Sequence, residues 1–403
     1  MVANRHFDYF NLKYIFTFLT IYFVLIPFLF DINFQTFYVL FVVIIGYFSF
    51  LIGYSHNKFF LINNNVIPTI RTQIVYFTGL FFLASDLLHG LQNLFTIKTI
   101  DDYTGSFAVE NYDSLYLQIV GMSIFFIKYY FYSLLMARNK VLFYLVFLSQ
   151  FLLMHNSSTR LVALSPFIIF FIYGYYMNYI KINFFRILMV FLSLPFVFVV
   201  LLLARGKTDG MNYFQLLNNI IDTLTLESFF NILKTALESF KSFEDLTSII
   251  TNGIVQIESG VIRIFFMPIS RSIWEDKPES ISRLISKEYN YEQYVNGGGT
   301  VATIFGDAFI NGHIIGVFIV LFSLAYLSKI LYNTMQNNSN IDIEKRSILI
   351  LIYAQFVYQF LFHFRGFFSE FYWKTILLIF IFYILYKIQF SIKPIQLKNG
   401  KVI

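Results

Sequence analysis

The chain has 403 residues, 58% hydrophobic, 21% aromatic and only 13% charged, with a mean hydropathy of +0.66 and a formal net charge of +6. Soluble chains carry about 25% charged residues, so this composition excludes the two or three soluble domains that the length alone would suggest and indicates one polytopic membrane unit. Most of the basic residues sit at the ends of apolar stretches, which excludes a nucleic-acid partner, and the absence of cysteine excludes disulfides and thiolate metal sites.

A bilayer core needs roughly 20 apolar residues as helix. Candidate spans in chain order are 12–30, 36–56, 70–88, 114–136, 140–155, 161–178, 186–203, 301–328, 347–362 and 374–390. The first is too long for the core of a cleaved signal and lacks a small-residue cleavage site, so it reads as a retained helix. With ten alternating spans and a cytoplasmic N-terminus, the inner segments hold fifteen lysines and arginines against three acids, Asp8, Asp342 and Glu344. The outer segments hold thirteen cations and twenty acids. That asymmetry is the one expected of a membrane protein with both termini inside. Lys128 lies within a span.

The chain therefore divides into an N-terminal bundle of about seven spans (1–203), a long outer segment (204–300) and a C-terminal bundle of about three spans (301–403). Connections longer than about 15 residues are usually functional. The outer segment carries helical periodicity. Phe229, Ile232, Leu233, Ala236, Leu237 and Phe240 form one apolar stripe, and Phe214, Leu217, Ile220, Ile221 and Leu224 an earlier one. Asn252-Gly253 reads as a helix stop and Pro278 as a helix start. A shorter outer connection, 89–113, holds Asp101, Asp102, Glu110 and Asp113.

Arginines near the outer ends of spans run against the positive-inside bias, so they need another reason. Arg205 stands where the seventh span exits, Arg263 and Arg271 flank Ile264-Phe265-Phe266-Met267-Pro268, Arg160 closes the turn between the fifth and sixth spans, and Arg365 lies in the last outer turn. A guanidinium fork suits bidentate capture of phosphate oxygens; pairing with the many outer acids is the plainer reading. Asn296-Gly297-Gly298-Gly299-Thr300 precedes the eighth span. Gly298 and Gly299 allow close backbone approach, and Thr300 can cap a helix whose free N–H groups would face an arriving anion. A flexible connection is the alternative. The run matches no nucleotide-binding pattern. Asp307, Asn311 and His313 lie inside the eighth span, where ionisable groups are functional candidates by default; either Asp307 or His313 could serve as a general base. Asp86 and His89 end the third span one turn apart, and His363 ends the ninth. The six histidines show no metal-ligand spacing.

About ten spans and a long outer segment opened by an arginine resemble the Wzy-type oligosaccharide repeat-unit polymerases, which are related to the O-antigen ligases. So do the run from Arg263 through Ser270-Arg271-Ser272-Ile273-Trp274-Glu275-Asp276-Lys277-Pro278, the glycine run, and Gly306-Asp307-Ala308-Phe309-Ile310-Asn311-Gly312. The resemblance in topology covers the whole chain, while its sequence signal is concentrated in residues 205–316. It implies an all-α, GT-C-like glycosyltransferase at the periplasmic face of a bacterial inner membrane. It further implies polymerisation of undecaprenyl-diphosphate-linked glycans into O-antigen or capsular polysaccharide, without metal, nucleotide or other cofactor. Membrane lipid and a chain-length regulator are the further partners it implies. Arg205, Arg263, Arg271 and Arg160 would hold the diphosphate, and His313 or Asp307 would take the acceptor proton. A ligase, or a transporter or flippase for lipid-linked sugars, are the rival readings.

Overall fold

The structure is a computed structural model that describes residues 8–60, 72–95, 114–153, 160–181, 239–257, 281–289, 291–295, 303–338, 341–364 and 368–390, with single positions at 260, 262, 269, 274, 276 and 278. The described residues are helical, and no strand occurs among them. Helix α1 runs over Leu12–Phe30 with one π-helical turn at Ile21–Leu25. It is followed by α2 (Phe34–Tyr54), α3 (Thr72–Phe95), α4 (Ser114–Arg138), α5 (Lys140–Leu153) and α6 (Arg160–Tyr176). Residues 204–300, expected outside, contribute α7 (Ser239–Thr251), α8 (Ile281–Tyr289) and α9 (Tyr291–Val295). The chain returns through α10 (Ile304–Ile310), α11 (His313–Asn337), α12 (Ile343–His363) and α13 (Phe368–Phe390).

Among the described residues, four stretches are both long and apolar enough to cross a membrane: Leu12–Phe30, Phe34–Tyr54, Ile74–Leu91 and His313–Asn337. The seventh expected span, most of the first outer connection and, apart from Phe240 in α7, the two early stripes of the outer segment lie outside the described residues. The helix stop at Asn252-Gly253 coincides with the end of α7, where Gly253 takes φ +64°. After Pro278, α8 begins at Ile281. The eighth expected span differs from expectation. Residues 303–328 do not form one helix, because Gly312 (φ +153°) and His313 (φ +55°) break the chain between α10 and α11. The membrane-length helix is therefore shifted to His313–Asn337.

Local sequence explains the tight α1–α2 turn. Asn33 caps α2 by accepting from the Thr36 N–H (2.9 Å), while the Thr36 hydroxyl accepts from the Asn33 N–H (2.9 Å), a reciprocal box that fixes the start of α2. Packing of α2 on α11 is close because Gly46 and Gly53, two turns apart, face α11. A Cβ at Gly46 would stand 2.6 Å from Leu321 Cδ1, and one at Gly53 would overlap the Phe322 carbonyl. Small residues at such positions let helix backbones approach in lipid, where burial of apolar surface gives no drive. Helices α4, α6 and α12 share a core in which the Ser347 hydroxyl donates to the Ser133 carbonyl (2.5 Å) and pairs with the Tyr173 hydroxyl. All of α12 except a few positions is buried.

Side-chain contacts gather the helix ends into two sets, as alternating spans require. Asp8, ahead of α1, accepts from Tyr176 at the end of α6 (3.0 Å) and from Tyr332 late in α11 (2.7 Å), and Arg138 at the end of α4 pairs with Glu344 at the start of α12. At the opposite ends, α7 packs against the last turns of α1 and against α10. Alkaline phosphatase fused after Asn33 is expected to be active and fused after Asn139 inactive; the reverse pattern would invert the orientation read from the charges.

Candidate functional site

The junction of α10 and α11 is the best-defined polar site among the described residues. All seven residues of α10 are buried, Asp307 at 2% exposure. The helix is tied at both ends. At its start the Ile304 N–H donates to the Phe364 carbonyl (2.7 Å), joining α10 to the end of α12. At its end the Asn311 carboxamide donates back to the Asp307 carbonyl (2.7 Å), and the Ile310 carbonyl accepts from the Gln256 N–H (2.9 Å) of the chain leaving α7. That chain lies tightly on the junction: a Cβ on Gly260 would overlap the Asn311 carboxamide, so only glycine fits there. On the far side of the break Gly316 brings the first turn of α11 against the Ala308 carbonyl, 2.5 Å from where its Cβ would lie. The chain leaving α7, together with α8, also encloses a small depression lined by Ile254, Gln256, Ile281, Leu284, Ile285, Glu288 and Ile310.

The two base candidates occupy different environments. Asp307 is inside the protein, whereas His313 is exposed and its ring stands edge-on to Phe309 (4.7 Å). His313 also holds a left-handed backbone, a conformation that costs an L-residue roughly 1–2 kcal/mol and that clusters at functional sites. Thr303, which starts α10, makes no capping hydrogen bond through its side chain. Arg160 begins α6, and its side chain lies outside the described residues. Arg205, Arg263, Arg271, Gly298, Gly299 and Thr300 also lie outside them. Of the sequence candidates, the structure thus brings Asp307, Asn311 and His313 to one junction. It adds Gln256 and Gly260, whose approach to α10 no local pattern signals.

Sequence reasoning missed two further groups. Asp86 and Lys128 form an ion pair (2.9 Å) deep between α3 and α4, with side chains 13% and 16% exposed. The same carboxylate oxygen accepts from Tyr132 (2.7 Å) and from the Gln150 amide of α5 (2.6 Å). The signal was present as one lone acid and one lone base in neighbouring spans, but nothing local says that they meet. His89, one turn beyond Asp86, is exposed and takes no part in the pair.

The second group is Asp245 on α7. The stripe Phe243, Leu246, Ile249 and Ile250 buries one face of α7 against the bundle and half-buries Asp245 beside it. Burial raises its carboxyl from 3.8 to about 6; Lys241, one turn earlier, opposes the shift, and Glu244 adds to it. A carboxyl raised on folding contributes stability that is fully present below about pH 3.8 and is lost as the pH climbs through about 6. Asp245→Asn is therefore expected to melt higher than the wild type at pH 7 and to lose that advantage near pH 4. Equal melting differences at both pH values would contradict the burial argument.

No family model, curated protein or solved structure matches the chain. Among the described residues, no group of three or more histidines and acids is placed to hold a metal ion.

Proposed function

We propose that the chain is a GT-C-like polymerase of ten spans, working at the outer face of a bacterial inner membrane. It would join undecaprenyl-diphosphate-linked oligosaccharide repeat units into O-antigen or capsular polysaccharide. The observation that carries this reading is the return of the outer segment onto a broken helix. Gln256 and Gly260 lie against the α10–α11 junction, within the stretch where the sequence resembles the repeat-unit polymerases. A site of this kind, strapped to the end of a membrane-length helix, suits a substrate with its lipid in the bilayer and its sugars outside.

In the proposed reaction an acceptor hydroxyl oxygen attacks the anomeric carbon of the growing chain. The bond from that carbon to the diphosphate oxygen breaks, and lipid diphosphate leaves with the bonding electron pair. Arg205, Arg263 and Arg271, assisted by Arg160, would stabilise the charge gathering on that oxygen, a term worth several kcal/mol per well-placed donor. The acceptor proton would pass to His313. An exposed imidazole can meet a hydroxyl arriving from outside, while buried Asp307 is better placed to hold the junction in shape. Gly298, Gly299 and Thr300 would add backbone donors to the same anion.

Disrupting the gene in its own host tests the reading. The surface glycan should persist as single repeat units. Complete loss of attached glycan would favour a ligase, and unchanged chain length would overturn both.

A further inference from the structure

Helix α12 is buried on nearly every side, yet Gln355, Gln359 and His363 follow one another at intervals of four residues along it. Such spacing places them on one ridge that climbs from mid-depth to the end of the helix. Gln355 is 0% exposed, and neither its amide oxygen nor its amide nitrogen has a hydrogen-bond partner. On α13, Thr375 is 2% exposed and its hydroxyl likewise has none.

Helix register sets these two side chains at nearly one depth. Ser347 of α12 meets Ser133 of α4, and three residues from Ser133 the Tyr130 ring meets Phe382 of α13 edge-on at 5.4 Å. Phe382 therefore stands near the level of Ile350 across an antiparallel pair. Gln355 comes five residues after Ile350, and Thr375 seven residues before Phe382, rises of ~7.5 Å and ~10.5 Å that bring them within about one turn of each other. Gln355 also lies two turns before Phe362, on the helix face that meets Lys374 of α13. Above them, His363 (2% exposed) sits beside Lys374 of α13, whose ammonium stands 5.4 Å from the Phe362 ring.

Buried polar atoms in native proteins almost always find a partner, and lipid supplies none. Two buried side chains at nearly one depth, with three unpaired polar atoms, form a setting in which one bridging water would meet the two to four partners it needs. We propose that ordered water occupies the α12–α13 interface at Gln355 and Thr375, continuing along Gln359 to His363 as a polar inlet from the helix ends into mid-membrane. The site takes water, because the amide and hydroxyl supply donors and acceptors in balance. This inference does not depend on the glycosyltransferase reading.

Hydroxyl-radical footprinting of the purified wild-type protein tests it first. Leu351 and Leu378, one turn from Gln355 and Thr375 and only 0% and 1% exposed, should be oxidised well above Val39 and Val42, which are equally buried among apolar neighbours. Labelling at the level of those valines would overturn the proposal. The double variant Gln355→Met, Thr375→Val then keeps shape while removing the polar atoms. Loss of the excess labelling together with a lower Tm supports bound water. Replacing unpaired buried groups by apolar ones of the same shape is neutral or stabilising, so an unchanged or raised Tm, or labelling that persists in the variant, would refute it. Should the variant fail to fold, the wild-type labelling decides alone.

Discussion

Arg205→Ala is expected to abolish chain growth while the protein still inserts at normal abundance. A leaving lipid diphosphate gathers negative charge as the glycosidic carbon is attacked, and a fixed guanidinium lowers that cost without reorganising. Removal of one such donor from a well-formed anion site typically lowers turnover by about 10²–10³-fold. Arg205→Lys separates two explanations. Lysine keeps the charge and loses the planar fork, so partial activity would indicate that bidentate geometry matters, while full activity would mean that field strength alone is used. Glycan chain length on gels, normalised to protein in the membrane, reads both variants. Normal polymer from Arg205→Ala would remove this residue from the mechanism.

Lys128→Met should produce the largest loss of stability. In the wild type one oxygen of Asp86 is held by a cation, a phenol and an amide drawn from two other helices. Removing the cation leaves a carboxylate deep in the bundle with only neutral donors, and breaking a buried pair from one side costs about 3–5 kcal/mol. The second substitution Asp86→Asn, added to Lys128→Met, removes the stranded charge and should restore most of the loss. Thermal unfolding in detergent measures this directly. A double variant no more stable than Lys128→Met alone would show that the pair is not the interaction that joins α3 to α4 and α5. The pair itself is a positioning device in this account: it fixes three helices against one another and touches no proposed substrate.

Much of the helical layout was legible in the sequence because it rests on runs of apolar residues, which hydropathy reads directly. Expected spans at 12–30 and 36–56 correspond to helices over Leu12–Phe30 and Phe34–Tyr54. The break at Gly312 was less visible. Asn311-Gly312 is a helix-stop signal, but it is embedded in a stretch apolar enough to mask it, and the decisive feature is the positive φ of two successive residues. Contacts between distant segments were not legible at all. Asp86 and Lys128 are separated by 42 positions, and Gly260 meets Asn311 only because the outer segment folds back. Gln355 and Thr375 each look like an ordinary polar residue in an apolar helix until the antiparallel register of α12 and α13 sets them at nearly one depth. At the candidate site, the sequence singled out Asp307 and His313 without separating them. Their burial differs, the carboxylate lying inside and the imidazole at the surface.

Purified protein incubated in detergent with one defined lipid-linked repeat unit, and no nucleotide sugar, tests the central claim most directly. The account predicts a ladder of glycans lengthening by whole repeats and absent with Arg205→Ala. Substrate recovered only as single units, from protein that is folded and monodisperse, would contradict it.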